Sequence, residues 1–258
     1  YKQILENYPV DYVVMGEGEE TLRELLIAIE QGTDTREVAG IALKIDGSIV
    51  RTETRKLITN LDEIPFPAYH WFNFGKYARY EILQGEFAGR NLEKMRFVPI
   101  IGSRGCVGTC QFCSTPRFWG QKWRVRSINN VVDEIEFLKN EYKCEFFNFA
   151  DDIFTVNKER VISLCKELID RKLDILWDCE TRVNFIWEDM LDWMRAAGCY
   201  CISYGVESAS PIVIKEINKK STPLQIENAF LNAKKFGIKT KMLLMIGNPG
   251  ECDESVED

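Results

Sequence analysis

The sequence predicts an α/β protein in which strand–helix units form most of a parallel barrel, after a smaller α/β segment, a hairpin and a linker. Three observations predict it. From about Arg96 onward, short apolar runs alternate five times with longer segments whose apolar residues recur at helical spacing. The unusual polar residues fall directly after each of those runs, at the C-terminal strand ends where chemistry collects in such folds. The length of 258 residues, with 45% apolar and 28% charged residues, suits one large α/β domain or two smaller ones.

In chain order, Asp11–Met15 reads as a strand, Gly16–Glu19 as a turn, and Glu20–Gln31 as a helix with Leu22, Leu25, Leu26 and Ile29 at helical spacing and Gly32 as its C-cap. Asp46-Gly47 between two alternating runs marks a hairpin. Asn60–Pro67 reads as an extended linker, because its two prolines oppose a helix. The barrel strands are expected at Phe97–Gly102, Glu145–Ala150, Leu176–Thr181, Tyr200–Val206 and Thr240–Ile246. The helices between them are expected at Ile128–Tyr142, Lys158–Lys172, Trp187–Ala197 and Pro223–Phe236, with a further helix starting at Cys252. Parallel strands joined by helices imply right-handed crossovers.

Composition excludes several classes. The 33 basic and 40 acidic residues give a net charge of −7, so a general nucleic-acid-binding role is not expected. The longest apolar runs, such as Met242–Ile246, are far short of the ~20 residues of a spanning helix, so no membrane insertion is expected. No basic-then-apolar leader is visible at the N-terminus. Nine cysteines, an odd count, read as reduced thiols or metal ligands in a cytoplasmic protein. A single histidine, His70, leaves almost no room for His-based zinc sites or Ser-His-Asp catalysis and is expected to be a linker residue. The chain opens on Tyr1 rather than Met and stops at Asp258 soon after a strand and turn, and it is read as a fragment.

The polar strand ends carry the chemistry. They are Ser103–Cys113, Ala150–Phe154, Glu180–Arg182, Gly205–Ser208 and Gly247–Glu251. The first holds Cys106, Cys110 and Cys113 in the spacing C-x3-C-x2-C. Three thiolates on one short loop can share one soft-metal site. A structural zinc wants four ligands, so zinc would need Cys144 or Cys252 as the fourth. A [4Fe–4S] cluster is usually held by four thiolates, so three leave one iron open. Gly105 and Gly108 would let the loop wrap closely around an inorganic core. Cys144, Cys165, Cys179, Cys199 and Cys201 read as small buried hydrophobes. The basic, aromatic stretch Arg117–Arg126 reads as a loop packing on the barrel.

The C-x3-C-x-aromatic-C loop after the first strand of a β/α barrel resembles the radical S-adenosylmethionine (SAM) enzymes. Two further motifs resemble the cobalamin-binding subgroup: the turn Val13-Val-Met-Gly-Glu-Gly-Glu19 and the linker Leu61-Asp-Glu-Ile-Pro-Phe-Pro67. The resemblance covers essentially the whole chain. It implies a partial (β/α)6 TIM-like barrel over 76–258, a hairpin and linker over 33–75, and over 1–32 the C-terminal remnant of a cobalamin-binding domain. It implies that Cys106, Cys110 and Cys113 ligate a [4Fe–4S] cluster whose fourth iron takes the amino and carboxylate groups of SAM. Reduction of that cluster would cleave SAM to a 5′-deoxyadenosyl radical, in the service of a methyl transfer or an oxidative cyclisation.

The same resemblance assigns the other strand ends. Asp151 or Asp152 would receive SAM's ammonium, or one of the pair would cap a helix. Arg182 would offer its carboxylate a bidentate fork. Glu207, beside Ser208, would accept from the ribose hydroxyls. Phe112 would lie against the adenine, with Gly247, Asn248 and Pro249 close by through backbone contact. Many members carry Gly-Gly-Glu after the second strand, where this chain has Ala150-Asp151-Asp152. The implied partners are a small-molecule substrate and a reducing electron donor such as flavodoxin or ferredoxin, and cobalamin is a further implied cofactor, held mainly by a region before Tyr1. The readings weighed against this one are a non-catalytic zinc-binding module and a degenerate radical SAM partner protein.

Overall fold

The computed structural model describes residues 1–78 and 85–257, and the chain divides into two compact units, Tyr1–Ile64 and Pro65–Asp258. Residues 79–84, within the region expected as the barrel domain, lie outside the described residues.

The first unit places the strand Tyr12–Val14 and both arms of the hairpin, Ile41–Ile45 and Ser48–Arg51, in one antiparallel sheet in that order. Asp46 and Gly47 both adopt positive φ, 48° and 79°, which matches the right-handed twist of the arms they join. The helix Gly18–Gln31 packs on this sheet through Thr21, Leu25 and Ala28, one stripe at i, i+4 and i+7. Leu22, Leu26 and Ile29 lie on a neighbouring stripe that is exposed, so the four apolar residues read as one face serve two. Glu17, in the Gly-Glu-Gly-Glu turn, is buried and accepts the amide of Ile58 at 2.7 Å, which ties the turn to the residues leading into the linker.

The second unit carries a five-stranded parallel sheet. Its order is Phe97–Ile100, Phe146–Phe149, Leu176–Thr181, Cys199–Glu207 and Lys239–Leu244, so spatial and sequence order agree, as in a barrel wall. The helices Ile128–Tyr142, Lys158–Asp170, Glu188–Ala196 and Pro223–Lys235 connect successive strands and bury their apolar stripes against the sheet. The expected cores of these elements hold. Several strand ends and helix C-termini shift by one to two residues, whereas the helix starts at Ile128, Lys158 and Pro223 stand where expected, capped by Ser127, Asn157 and Thr222, which accept the amides of Asn130, Arg160 and Gln225.

Four of the cysteines expected to be hydrophobes, Cys144, Cys165, Cys179 and Cys199, lie in the main core, and Cys201 lies in a second cluster with Phe146 and Leu176. Burial pushes the Cys144 and Cys201 thiols up to about 12, so they behave as neutral packing groups. In the linker, Tyr69 joins the core and donates to Glu134 at 2.6 Å, and Glu134 pairs with Arg126 at 2.5 Å. His70 is exposed.

Among the elements with no sequence expectation are two that bear on the cysteine loop. The pairs Ser103–Arg104 and Arg124–Val125 form a short antiparallel ladder that closes this loop at its base. A six-residue helix, Pro211–Glu216, stands between the fourth strand and the helix Pro223–Lys235.

Candidate functional site

Between Arg104 and Arg124 the chain makes one excursion from the C-terminal end of the first barrel strand. Gly105 opens it at φ 94°, and a side-chain carbon there would lie 2.3 Å from the Lys122 carbonyl, so only glycine lets the two limbs close. Cys106 is buried, and its Sγ accepts the Gly108 amide at 3.2 Å. Burial pushes the Cys106 thiol up, and the amide opposes that by favouring the thiolate. A side-chain carbon on Gly108 would lie 2.6 Å from Arg182 Nη1 and 3.1 Å from Cys106 Sγ, so this glycine too is held by close approach.

The loop is fastened at its far side. The Gln111 amide donates to the Ile217 carbonyl at 3.0 Å, and Asn218 Nδ2 donates to the Thr109 carbonyl at 3.0 Å. Both partners belong to the turn that ends the helix Pro211–Glu216. The short helix therefore buttresses the cysteines.

A cleft of about 150 Å³ opens at the C-terminal ends of the strands. Cys106, Cys110, Cys113, Phe112, Asp152, Arg182 and Glu207 all line it. Sequence reasoning places each of these seven in a site, and the fold brings them together from four strand ends. Asp152 accepts from Thr115 Oγ1 at 2.9 Å and from the Gly105 amide at 3.2 Å, which fixes its carboxylate beside the cysteine loop. Arg182 is 7% exposed and donates from Nη1 to Cys110 Sγ at 3.6 Å and from Nε to Asn184 Oδ1 at 3.3 Å. Glu207 adopts φ 67° at an irregularity in the pairing with the last strand. That conformation turns it toward Lys219, which donates to Glu207 Oε1 at 2.8 Å.

The remaining predicted positions stand elsewhere. Asp151 is buried on the other side of the strand end, accepting from the Gly102 amide at 3.0 Å and from Ser103 Oγ, and it does not line the cleft. Burial pushes its carboxyl up to about 6, against the lowering effect of those two donors. Ser208 accepts the Ser210 amide at 3.2 Å, so its hydroxyl serves the turn into the short helix and not the cleft. Gly247, Asn248 and Pro249 form a turn stapled by Glu251, which accepts from the Gly247 amide and from Asn248 Nδ2 at 2.8 Å, and none of the three lines the cleft. Cys144 lies in the core and Cys252 is exposed beyond the last strand, so neither joins the loop cysteines as a fourth ligand. Among the described residues, no three His, Cys, Asp or Glu side chains are gathered tightly enough for a single metal ion.

Lys219 lines the cleft and has no counterpart among the sequence expectations. It is 5% exposed, and its Nζ lies 5.7 Å from the centroid of the Phe112 ring, so it links Glu207 to the aromatic of the cysteine loop. A lysine in a polar run after a helix carries no periodic signal. The available clue is the short apolar spacing Val213, Ile214, Ile217 after Ser210-Pro211, which marks the helix that delivers it.

Residues 100–258 match the model of the radical SAM superfamily. An uncharacterized methyltransferase of Pyrococcus horikoshii is 36% identical over 96% of this chain and 51% of its own length. The anaerobic magnesium-protoporphyrin IX monomethyl ester cyclase of Rubrivivax gelatinosus is 34% identical over all of this chain and 45% of its own. The solved structure of the radical S-adenosylmethionine methyltransferase TsrM from Kitasatospora setae, with cobalamin and a [4Fe–4S] cluster bound, superposes with a TM-score of 0.77 at 21% identity, over 98% of this chain and 49% of that one. The chain thus spans about half the length of these proteins.

Proposed function

The chain belongs to the radical SAM superfamily, and on that premise we propose that it is the barrel-bearing part of a cobalamin-associated radical SAM enzyme. The observation that carries this reading is the shared cleft of Cys106, Cys110, Cys113, Asp152, Arg182 and Glu207. A zinc module has no use for two carboxylates and a buried guanidinium around its thiols.

The residues fit a [4Fe–4S] cluster better than a single ion. Three unpaired thiols face one cleft, and among the described residues neither Cys144 nor Cys252 lines it as a fourth ligand. The Gly108 amide and the Arg182 guanidinium both point hydrogen at cysteine sulfur, which suits sulfur carrying negative charge. When bound, the cluster supplies one electron to cleave SAM and so generates the species that attacks the substrate.

The chain's own side chains do the positioning. Asp152, held by Thr115 and the Gly105 amide, offers a fixed acceptor to SAM's ammonium. Arg182 and Lys219 are the two cleft cations available to its carboxylate. Glu207 is the carboxylate available to the ribose, with Phe112 as the aromatic wall for the adenine. The proposed reaction is a methyl transfer or an oxidative cyclisation on a small-molecule substrate, in keeping with the names of the two relatives. A cobalamin site would be built mainly by residues outside this chain. The proposed partner is a low-potential electron carrier such as flavodoxin or ferredoxin. The nine unpaired thiols suit a reducing compartment, and we place the protein in the cytoplasm. No helix among the described residues is long and apolar enough to cross a membrane.

The test is anaerobic reconstitution with iron and sulfide, reduction, and EPR spectroscopy with and without SAM, using a Cys106→Ala, Cys110→Ala, Cys113→Ala variant as control. A cluster signal that SAM perturbs and the variant lacks is the expected result. A tightly held zinc with no cluster would sink the reading.

A further inference from the structure

The chain as a whole has a net charge of −7, yet the segment that holds the three cysteines has the opposite sign. Residues 104–126 carry five basic side chains, Arg104, Arg117, Lys122, Arg124 and Arg126, and no Asp or Glu. Arg126 is paired with Glu134, and Arg124 is buried. Arg117 and Lys122 are exposed, and neither forms an ion pair among the described residues. The same segment exposes two apolar side chains, Val107 at 46% and Phe118 at 51%. The Phe118 ring stands edge-on to Trp119 at 4.5 Å, and the Arg104 guanidinium lies 4.9 Å from the centroid of the Trp119 ring. Exposed aromatic rings among arginines are the composition of a protein–protein interface.

These groups sit next to the cysteines themselves. Arg117 and Phe118 belong to the one-turn helix Thr115–Phe118, which starts two residues after Cys113 and whose Thr115 lines the cysteine cleft. The Lys122 carbonyl is packed against Gly105, the residue before Cys106. Four helices cover the outer side of the sheet, so this loop is the solvent-facing layer beside the cysteines. Electron tunnelling falls steeply with distance, and a protein donor to these cysteines has to dock on that layer. Electron-transfer encounters bury little area, and charge guides them. An acidic donor is repelled by the chain as a whole and attracted by this one segment, so the field that rejects other approaches selects this one.

We propose that the outer face of the cysteine loop, through Arg117, Lys122 and Phe118, docks an acidic protein that carries one electron at low potential. The inference rests on the reading of Cys106, Cys110 and Cys113 as cluster ligands. One electron leaves the docked carrier, which is oxidised by one, and enters the cluster, which is reduced by one. No covalent bond of either protein forms or breaks. The rival occupant of a basic, aromatic face is a single-stranded nucleic acid, which the net charge of the chain disfavours.

The experiment is anaerobic titration of the reconstituted chain with a flavodoxin and, separately, with a ferredoxin, at low and at high ionic strength. EPR spectroscopy then compares cluster reduction by each carrier with reduction by dithionite. Saturable binding that salt weakens is expected. The double variant Arg117→Glu, Lys122→Glu should weaken binding about tenfold or more at low ionic strength and slow reduction by the carrier to match. Dithionite should still reduce its cluster to the full extent. Phe118→Ala should weaken binding about tenfold at both ionic strengths, because salt does not screen an apolar contact. The control is Lys143→Glu, Lys172→Glu, two exposed positions in the turns before the second and third barrel strands, at the opposite end of the sheet. It makes the same change of net charge and should alter binding less than about twofold. Equal effects of the two double variants would mean general repulsion and overturn the proposal. So would absence of saturable binding by either carrier, or tighter binding of a single-stranded oligonucleotide than of both. A chain in which dithionite yields no cluster signal refutes the reading of the cysteines, a failure distinct from loss of docking.

Discussion

Lys219 and Glu207 form an ion pair at the wall of the cysteine cleft, Nζ donating to Oε1 across 2.8 Å, with side chains 6% and 11% exposed. The pair is locked by Gly205, where a side-chain carbon would lie 2.9 Å from the carboxylate and 3.0 Å from the ammonium. Two charges so enclosed are matched to one another, and removing one strands the other. Lys219→Met and Glu207→Gln are therefore each expected to lower stability by about 3 kcal/mol, the lower end of the range for buried pairs because the cleft admits water. The double variant should recover most of that loss. Urea unfolding of the four proteins measures it, and additive losses would show that the two groups do not interact.

Asp151 and Asp152 are adjacent in sequence and opposite in role. Asp152 faces the cleft, and Asp151 is turned into the wall behind it, against Gly102 and Ser103. If Asp152 meets SAM's ammonium, Asp152→Asn should raise the Kd for SAM by about tenfold or more, the value of one charge-assisted hydrogen bond. Asp151→Asn should leave it within about twofold. Calorimetric titration of SAM into the reconstituted variants makes the comparison, and equal effects would remove the distinction.

Asp151 also predicts a pH dependence. Its carboxyl titrates near 6 in the folded protein, because burial disfavours the charged form, against about 4 in an unfolded chain. Between those values the folded state holds the proton that the unfolded state has lost, so stability falls as pH rises. The contribution is fully present below about pH 4 and gone above about pH 6, and two units correspond to about 3 kcal/mol. Asp151→Asn should flatten that part of the curve while other groups titrate as before. Unfolding free energies of both proteins from pH 4 to pH 7.5 would show it, and parallel curves would refute it.

This division between the two aspartates illustrates what the sequence allowed and where it stopped. Apolar spacing located the five barrel strands and the four helices Ile128–Tyr142, Lys158–Asp170, Glu188–Ala196 and Pro223–Lys235 between them, since both periods persist over enough residues to be read. Spacing also singled out Cys106, Cys110 and Cys113, because ligands of one centre on one loop must be near in sequence. Which of Asp151 and Asp152 faces the cleft was not legible. The second strand ends at Phe149, so the turn after it and not the pleat sets their directions. Lys219 was not legible either. It reaches the cleft through a six-residue helix too short for a periodic signal and a turn with Asn218 at φ 54°, and both are fixed by tertiary contacts to Thr109 and Gln111.

Arg182 touches Cys110 with one arm and Asn184 with the other, so its planar fork is already oriented. Arg182→Lys keeps the charge and loses the fork. The expected outcome is an intact cluster with a Kd for SAM raised about tenfold, because a lysine ammonium cannot reproduce the paired donors. EPR of the reduced variant checks the cluster, and titration checks the affinity. An unchanged affinity would assign the carboxylate of SAM to Lys219 alone.

The two glycines of the cysteine loop should fail in different ways. At Gly105 an added methyl meets the Lys122 backbone carbonyl at 2.3 Å, and φ is 94°, so neither the contact nor the conformation can relax without opening the base of the loop. Gly105→Ala is therefore expected to lose cluster loading. At Gly108 the methyl meets the end of the flexible Arg182 side chain at 2.6 Å, which can swing aside, and Cys106 Sγ at the tighter-than-usual distance of 3.1 Å. Gly108→Ala should then load a cluster but displace the guanidinium, weakening SAM about tenfold in the manner of Arg182→Lys. Iron and sulfide content per chain separates the first outcome from the second. The combined variant Gly108→Ala, Arg182→Lys should be little worse than either alone, since both remove the same oriented fork. Losses that multiply would mean that Gly108 acts on the cysteine loop and not through Arg182.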